Sequence, residues 1–245
     1  MRFSTLAAIT AVTVFSACSG ATNSLPSTTS LQKPTAAQLG LWPRRGASAR
    51  VCGDVGNGYA RCQAWVRTDV TGMIRPDTPS GYGPSDLQTA YGLTSYSQSN
   101  GSGQTVAIVD AYDDPNAASN LSVYRAQYGL PACNASNGCF TKQKYTSKTN
   151  TGWAEEESLD LDMVSAICPN CKILLVEASS PSISALTTAE NYATAHAGYV
   201  SNSWSGNEGT KGYDSSFNVS GVAITAATGD NGYNSPAQWP AILPS

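Results

Sequence analysis

Three short apolar runs constrain the fold more than any other feature of this chain. They are "TVAIVDAY" from Thr105, "KILLVEA" from Lys172 and "GVAITAAT" from Gly221. Near-continuous runs of this length read as strands covered on both faces, as in a parallel sheet. Helical patterns fall between them. "DDPNAASNLSVYRAQYGL" has helical periodicity and a stop at Gly129; "SISALTTAENYATAHA" follows the second run, and a helix is expected around 212–219. "YVSNSW" adds another strand. Upstream, "GYGPSDLQTAYGL" predicts a turn and a short helix capped by Ser85. Strands alternating with helices define an α/β fold with a mostly parallel sheet. Ligands in such sheets sit at the C-terminal ends of strands, where Asp110, residues 203–205 and Asp230 fall. No Gly-x-Gly-x-x-Gly follows the first strand and no P-loop is present, which disfavours a nucleotide site.

The segment "WAEEESLDLDMVSAICPNC" carries five carboxylates: Glu155, Glu156, Glu157, Asp160 and Asp162. On a helix with Glu156 at zero, Asp160 falls at about 40°, Ile167 at about 20°, Met163 at about 340° and Leu159 at about 300°. Glu156 and Asp160 thus lie within an apolar stripe, whereas Glu155 and Asp162 take the other side. Carboxylates on a core-facing stripe are costly unless paired, hydrogen-bonded or protonated. The competing expectation is a loose turn, with helix starting only near Leu159; acidic residues also suit a helix N-terminus. The only histidine, His196, ends a helical pattern and reads as a C-terminal cap. A Ser-His-Asp triad is therefore poorly supplied, and any general base is expected to be a carboxylate.

The 245 residues suffice for one sizeable core with appendages, and a net charge of -3 gives no footprint for nucleic acid. "MRFSTLAAITAVTVFSAC" reads as an export signal over residues 1–18, and "FSAC" resembles a lipobox that would place a lipid on Cys18 and attach the chain to a membrane. Plain secretion with cleavage nearby is the alternative. Residues 19–48, rich in Ser, Thr, Pro and Ala, form an expected tether, and residues 49–80 a short Cys-tied segment. With Cys18 set aside, six cysteines remain, which allow fifteen connectivities. Short-range pairing, Cys52 with Cys62, Cys133 with Cys139 and Cys168 with Cys171, is preferred and suits an exported protein. The redox reading of Cys168-Pro-Asn-Cys171 needs its first cysteine at a helix N-terminus. Here the pair closes a helix instead. A zinc site lacks a second ligand pair, and no metal site is expected.

Read in order, "GYGPSDLQTAYGL", "QTVAIVDAYDDP", "EEESLDLDMVSAICPNCKILLVEA", "SNSWSG" and "AATGDNGYNSPAQWPA" resemble successive segments of the sedolisins, the serine-carboxyl peptidases. The likeness covers about residues 81–243. It implies a subtilisin-like α/β fold and hydrolysis of peptide bonds at acidic pH. By the same resemblance, Glu156 is general base and acid, Asp160 supports it, and Asp230 donates to the oxyanion. Ser203, Trp204 and Ser205 belong to the strand that pairs with substrate backbone. Glu157 and Asp162 match no such position and are expected in solvent. The family's nucleophile lies in a Gly-Thr-Ser-x-x-x-Pro motif that these 245 residues lack. Its calcium site lies beyond the same point, so no cofactor is expected here. The expected domain, residues 81–245, is thus a partial peptidase domain, incomplete at its C-terminus and inactive as it stands. Two other classes compete: a lipid-anchored, non-catalytic module that binds peptides, and a glycosidase. Glycosidase carboxyls flank a sugar from opposite sides, about 5–9.5 Å apart, which fits an i, i+4 pair poorly.

Overall fold

The computed structural model describes residues 48–68, 81–207, 212–230 and 236–244. Cys18, the export signal and nearly all of the tether lie outside them. Strands β1 (Ser48–Arg50), β2 (Ala60–Cys62) and β3 (Trp65–Arg67) come first, then helices α1 (Pro84–Ala90) and α2 (Thr94–Ser99). Next are β4 (Thr105–Ala111), α3 (Ala117–Gln127), β5 (Phe140–Lys144), α4 (Thr151–Ile167) and β6 (Lys172–Ala178). The described chain continues with α5 (Ile183–His196), β7 (Tyr199–Asn202), β8 (Trp204–Gly206) and β9 (Ala223–Ala226). A five-stranded parallel sheet has the order β5-β6-β4-β7-β9.

Strand alternation divides the core between the two sheet faces. Ala107, Val109 and Ala111 of β4 join Leu174 and Val176 of β6 on the face covered by α5, against Leu186, Ala189 and Ala193. Ile108 joins Ile173 and Leu175 on the other face, with Leu121 of α3 and Leu161 of α4. Asp110 shares the side of Ile108, and Glu177 that of Ile173 and Leu175. Both carboxylates therefore point toward the helix that carries the five acids, and Asp110 pairs with Glu177 in the strand register.

That helix begins at Thr151, where the Asn150 side chain accepts from Trp153 N at 3.1 Å. No loose turn precedes Leu159, and all five carboxylates are helical. The buried face is centred about a quarter turn from the stripe read in the sequence. Trp153, Glu156, Glu157, Asp160, Leu161 and Ser165 are buried, whereas Leu159 is exposed. Helices α1 and α3 and strand β4 all pack against α4, so more of its circumference is covered than a surface helix would bury. The expectation that Glu157 is solvated is corrected by this packing: it is fully buried.

Other details also differ from the sequence reading. Helix α1 is capped at Gly83, whose N–H donates to Asp86 at 2.9 Å, and Pro84 opens the helix instead of preceding a Ser85 cap. Around 212–219 there is one 3-10 turn, Asp214–Phe217. "YVSNSW" breaks at Ser203, where the chain leaves the parallel sheet and β8 pairs antiparallel with β2. Strand β5, at the edge beside β6, was hidden by its polar composition. The three short-range disulfides are all present: Cys52–Cys62, Cys133–Cys139 and Cys168–Cys171. Cys168 caps α4 just before β6, the order that disfavours redox chemistry.

Residues 48–67 are built onto this framework. Tyr59 bridges Ser182, Ala60 N donates to Pro181 O at 2.8 Å, and Ile183 N donates to Gly58 O at 2.9 Å. At the start of α4, a Cβ on Gly152 would sit 2.4 Å from Val51 O. Gly152→Ala suits the helix but overpacks this contact, at a cost of about 1–3 kcal/mol. Its expected effect is local: an Arg-specific protease cuts at Arg50, Arg61 or Arg67 several-fold faster, with the thermal midpoint little changed. Equal cutting rates in the two proteins would show that Gly152 does not govern how this segment docks.

Candidate active site

The acids of α4 meet the C-terminal ends of β4 and β6 and the start of β8. Glu156 is buried, and its Oε2 accepts from the backbone N–H of Gln63 at 2.6 Å and of Ala64 at 2.5 Å. Burial and the neighbouring Asp160 charge push the Glu156 carboxyl well above the ordinary range, and the two N–H donors pull it back only in part. Asp160 stands one turn later. Its Oδ1 accepts from Ser203 Oγ at 2.7 Å, while its buried Oδ2 meets no donor. Burial raises Asp160 as well, against the pull of the Ser203 hydroxyl. Two adjacent carboxyls so placed hold one proton between them far more readily than two negative charges.

Asp230 lies four residues beyond β9, at the exposed rim. Partial burial raises its carboxyl, while Arg50, the Trp65 indole N–H and Arg61 oppose that shift. Its charge also acts on Glu156 as the smallest of the causes that raise that carboxyl, so the two acids lie within electrostatic reach of each other. The structure thus brings together Glu156, Asp160, Ser203 and Asp230. Ser205 joins them through the alternation of β8: its hydroxyl accepts from Gln63 Nε2 at 2.5 Å and donates to Gln238 Oε1 at 2.6 Å. Trp204 points the other way. It is fully buried, donates from Nε1 to Val109 O at 2.9 Å and packs against Phe217 and Trp239, so only its backbone faces the cleft.

The strand edge expected to meet a substrate is occupied by this chain's own backbone. Ala60, Arg61 and Cys62 pair with Gly206, Ser205 and Trp204, and Gln63 N also donates to Ser203 O at 3.1 Å. An extended segment therefore lies across Glu156 and beside Asp230.

Behind the Glu156–Asp160 pair is a second group of acids that sequence reasoning did not assemble. Asp110 is fully buried with neither oxygen meeting a donor; burial, then Asp160, Glu157, Glu156 and Glu177, push it well up. The buried Glu157 carboxyl also meets no N–H or O–H donor; it lies against Glu177, so a proton held between these two carboxyls satisfies both. Lys142 enters from β5, its Nζ 2.7 Å from Glu177 Oε1 and 2.6 Å from Asp113 Oδ1, and Lys144 reaches Asp113 Oδ2 at 2.7 Å. The usable signal was Asp110 opposite Glu177 at matching strand ends; the missing one was β5. Among the described residues no group of three or more His, Cys, Asp or Glu is arranged to hold a metal ion. His196 places Nδ1 2.7 Å from Tyr192 O at the end of α5, consistent with a cap.

Two further acids bear on the pH dependence of the fold: Glu190 is fully buried, and Asp162, expected in solvent, is half-buried. Burial pushes Asp162 up to about 7 and Glu190 up to about 8, the latter against the pull of the nearby Asn202 amide. Both folded values exceed the unfolded ones, so the folded state binds these protons more tightly. Their stabilising contribution is complete below about pH 4 and is lost as pH rises through 7 and 8. Asp113, which its lysines hold low, acts oppositely but only in stronger acid. Thermal unfolding should therefore show a higher midpoint at pH 4 than at pH 8. Glu190→Gln should recover about 1–3 kcal/mol at pH 8 and little at pH 4. A midpoint that rises across this interval contradicts the sign.

Comparison with known proteins agrees with this architecture. No family model matches the sequence, and no curated protein matches it. Among solved structures, the chain is similar to Pseudomonas sedolisin, a serine-carboxyl proteinase solved with two molecules of pseudo-iodotyrostatin. The TM-score is 0.54 and the identity 18%, over 68% of this chain and 52% of that one. The chain thus spans about half the length of the sedolisin it matches. At this identity the likeness establishes the fold: a parallel α/β sheet of the sedolisin, subtilisin-like kind.

Proposed function

We propose that this chain carries the acid–base side of a serine-carboxyl endopeptidase site that works on peptide bonds at acidic pH. The observation that carries the reading is the extended backbone lying across the acids. Residues 60–62 pair with β8, and the next two N–H groups donate to Glu156. A site that holds an extended peptide against a proton-sharing carboxyl pair suits peptide hydrolysis better than sugar cleavage. In this chemistry Glu156 takes the proton of a nucleophilic hydroxyl and returns it to the leaving amine. Asp160 keeps the pair at one negative charge. Asp230, protonated in acid, donates to the developing oxyanion.

The sequence contains no Gly-Thr-Ser-x-x-x-Pro to supply that hydroxyl. These 245 residues by themselves are therefore expected to bind peptides without cleaving them. The same fact, with a cleft filled by the chain's own segment, favours a second reading as a non-catalytic peptide-binding module. Three disulfides suit an oxidising compartment outside the cytoplasm. No helix among the described residues is long and apolar enough to cross a membrane. A lipid on Cys18 would supply the anchor.

Two measurements test the proposal. Carboxyl NMR should find Glu156 and Asp160 titrating as a coupled pair that keeps one proton well above pH 4, a behaviour lost in Glu156→Gln. Ordinary, independent titration near pH 4 would remove the basis for a base at Glu156. In parallel, a mixed peptide library at about pH 4 should show no turnover. Turnover abolished by Glu156→Gln would keep the peptidase reading but assign the nucleophile to a group within these residues.

A further inference from the structure

The segment across the cleft also carries a side chain into it. Gln63 is buried, and its amide is held at both ends. Arg50 Nη1 lies 3.5 Å from Gln63 Oε1, which fixes the oxygen end and turns Nε2 toward Ser205 Oγ, 2.5 Å away. The buried Ser205 hydroxyl has one hydrogen, and that hydrogen goes to Gln238 Oε1 at 2.6 Å. With its hydrogen committed, Ser205 can only accept from whatever enters beside it. Gln238 is held in turn: its backbone N–H donates to Thr228 O at 3.1 Å, and Gly229 stands where a Cβ would lie 2.7 Å from Oε1. Gly229 also has φ +99°, which a larger residue resists. The pocket is therefore a fixed acceptor, neutral and buried, that faces an extended backbone.

We propose that Ser205 and Gln238 form a specificity pocket for a carboxamide side chain, so that the cleft selects extended peptides with glutamine at the position taken by Gln63. The proposal rests on reading the cleft as a peptide site, and it adds which peptides that site prefers. An aliphatic side chain of similar size fills the space but leaves the Ser205 acceptor without a donor. A missing partner at a buried polar group costs about tenfold in affinity. The segment of residues 59–64 is then the chain's own ligand for this pocket, and an added peptide competes with it. Competition lowers the apparent affinity of every peptide by one common factor, so the ratio of two peptides on one protein is unaffected.

The test uses fluorescent peptides with the sequence of residues 58–66, each with Cys62→Ser, one keeping Gln63 and one with Gln63→Leu. Their binding to the full chain and to the Gly152→Ala chain is read by anisotropy. The glutamine peptide should bind about tenfold more tightly than the leucine peptide on both proteins. The ratio should fall to about one on Ser205→Ala and on Gln238→Leu chains. Equal affinities on the unaltered chain, or a ratio that survives both substitutions, would overturn the pocket but leave the peptide site standing. Failure of both peptides to bind either protein would overturn the peptide site and the pocket with it. A second readout needs no added peptide. In the chain itself, Gln63→Leu and Ser205→Ala should each speed proteolysis at Arg61, and the double variant should be no faster than either single one. Independent, multiplying effects would show that the two side chains do not act as a pair.

Discussion

A helix bearing buried acids is pressed against the carboxyl ends of parallel strands, and the surrounding site follows from that one contact. Glu156, Glu157 and Asp160 leave water together and meet Asp110 and Glu177, which strand alternation turns toward them. Five ionised carboxylates could not share that volume. Lys142 is the cation drawn into the cluster, bridging Glu177 and Asp113. The remaining balance comes from retained protons, which is why burial heads the causes of every upward shift. An acid-favoured fold is then a consequence of that desolvation, and the proposed acid-working site rests on the same feature.

The cleft in front of the cluster is shaped by residues 48–67 as much as by the sheet. This segment supplies both backbone donors to Glu156, the indole N–H near Asp230 and the amide that enters the Ser205 pocket. The Cys52–Cys62 disulfide closes its loop, and Trp65 carries the Arg50 guanidinium 4.5 Å above its ring. Read as sequence, these residues were a Cys-tied appendage. Their strands are each three residues long, β1 pairing with β3 and β2 with the distant β8, so no periodicity could announce them.

Legibility followed the range of the interaction. The β4 and β6 runs, the two helices between them and the three disulfides were readable because apolar period and short cysteine spacing are local signals. Glu156 and Asp160 stood out on a helical wheel even though that wheel was turned by about a quarter turn. Leu159 misled it: an apolar residue, it is exposed, while Glu157 takes the buried direction. What misplaced the face was the packing of α1 and α3 on α4, a tertiary fact. Strand β5 was unreadable for the converse reason, since Lys142 and Lys144 are polar in sequence yet answer acids contributed by other elements.

The spacing of the acids separates the chemistries open to them. Carboxyls one helical turn apart project in the same direction, so they cannot enclose a sugar from two faces. They can hold a single proton, and the protein orients them differently. Glu156 turns toward the backbone in the cleft, while Asp160 turns toward Ser203 at the break between β7 and β8. That break also reverses the pairing, from parallel at β7 to antiparallel at β8, and sets Ser203 and Ser205 on the same side as the acids. Ser203 is therefore bound to Asp160 and Ser205 to the Gln63 and Gln238 amides. Two hydroxyls, two residues apart on one strand, connect the acid–base groups to the groups that would read a side chain. The sharp exit from the parallel sheet at Ser203, which broke the strand expected from "YVSNSW", is the feature that makes this juxtaposition possible.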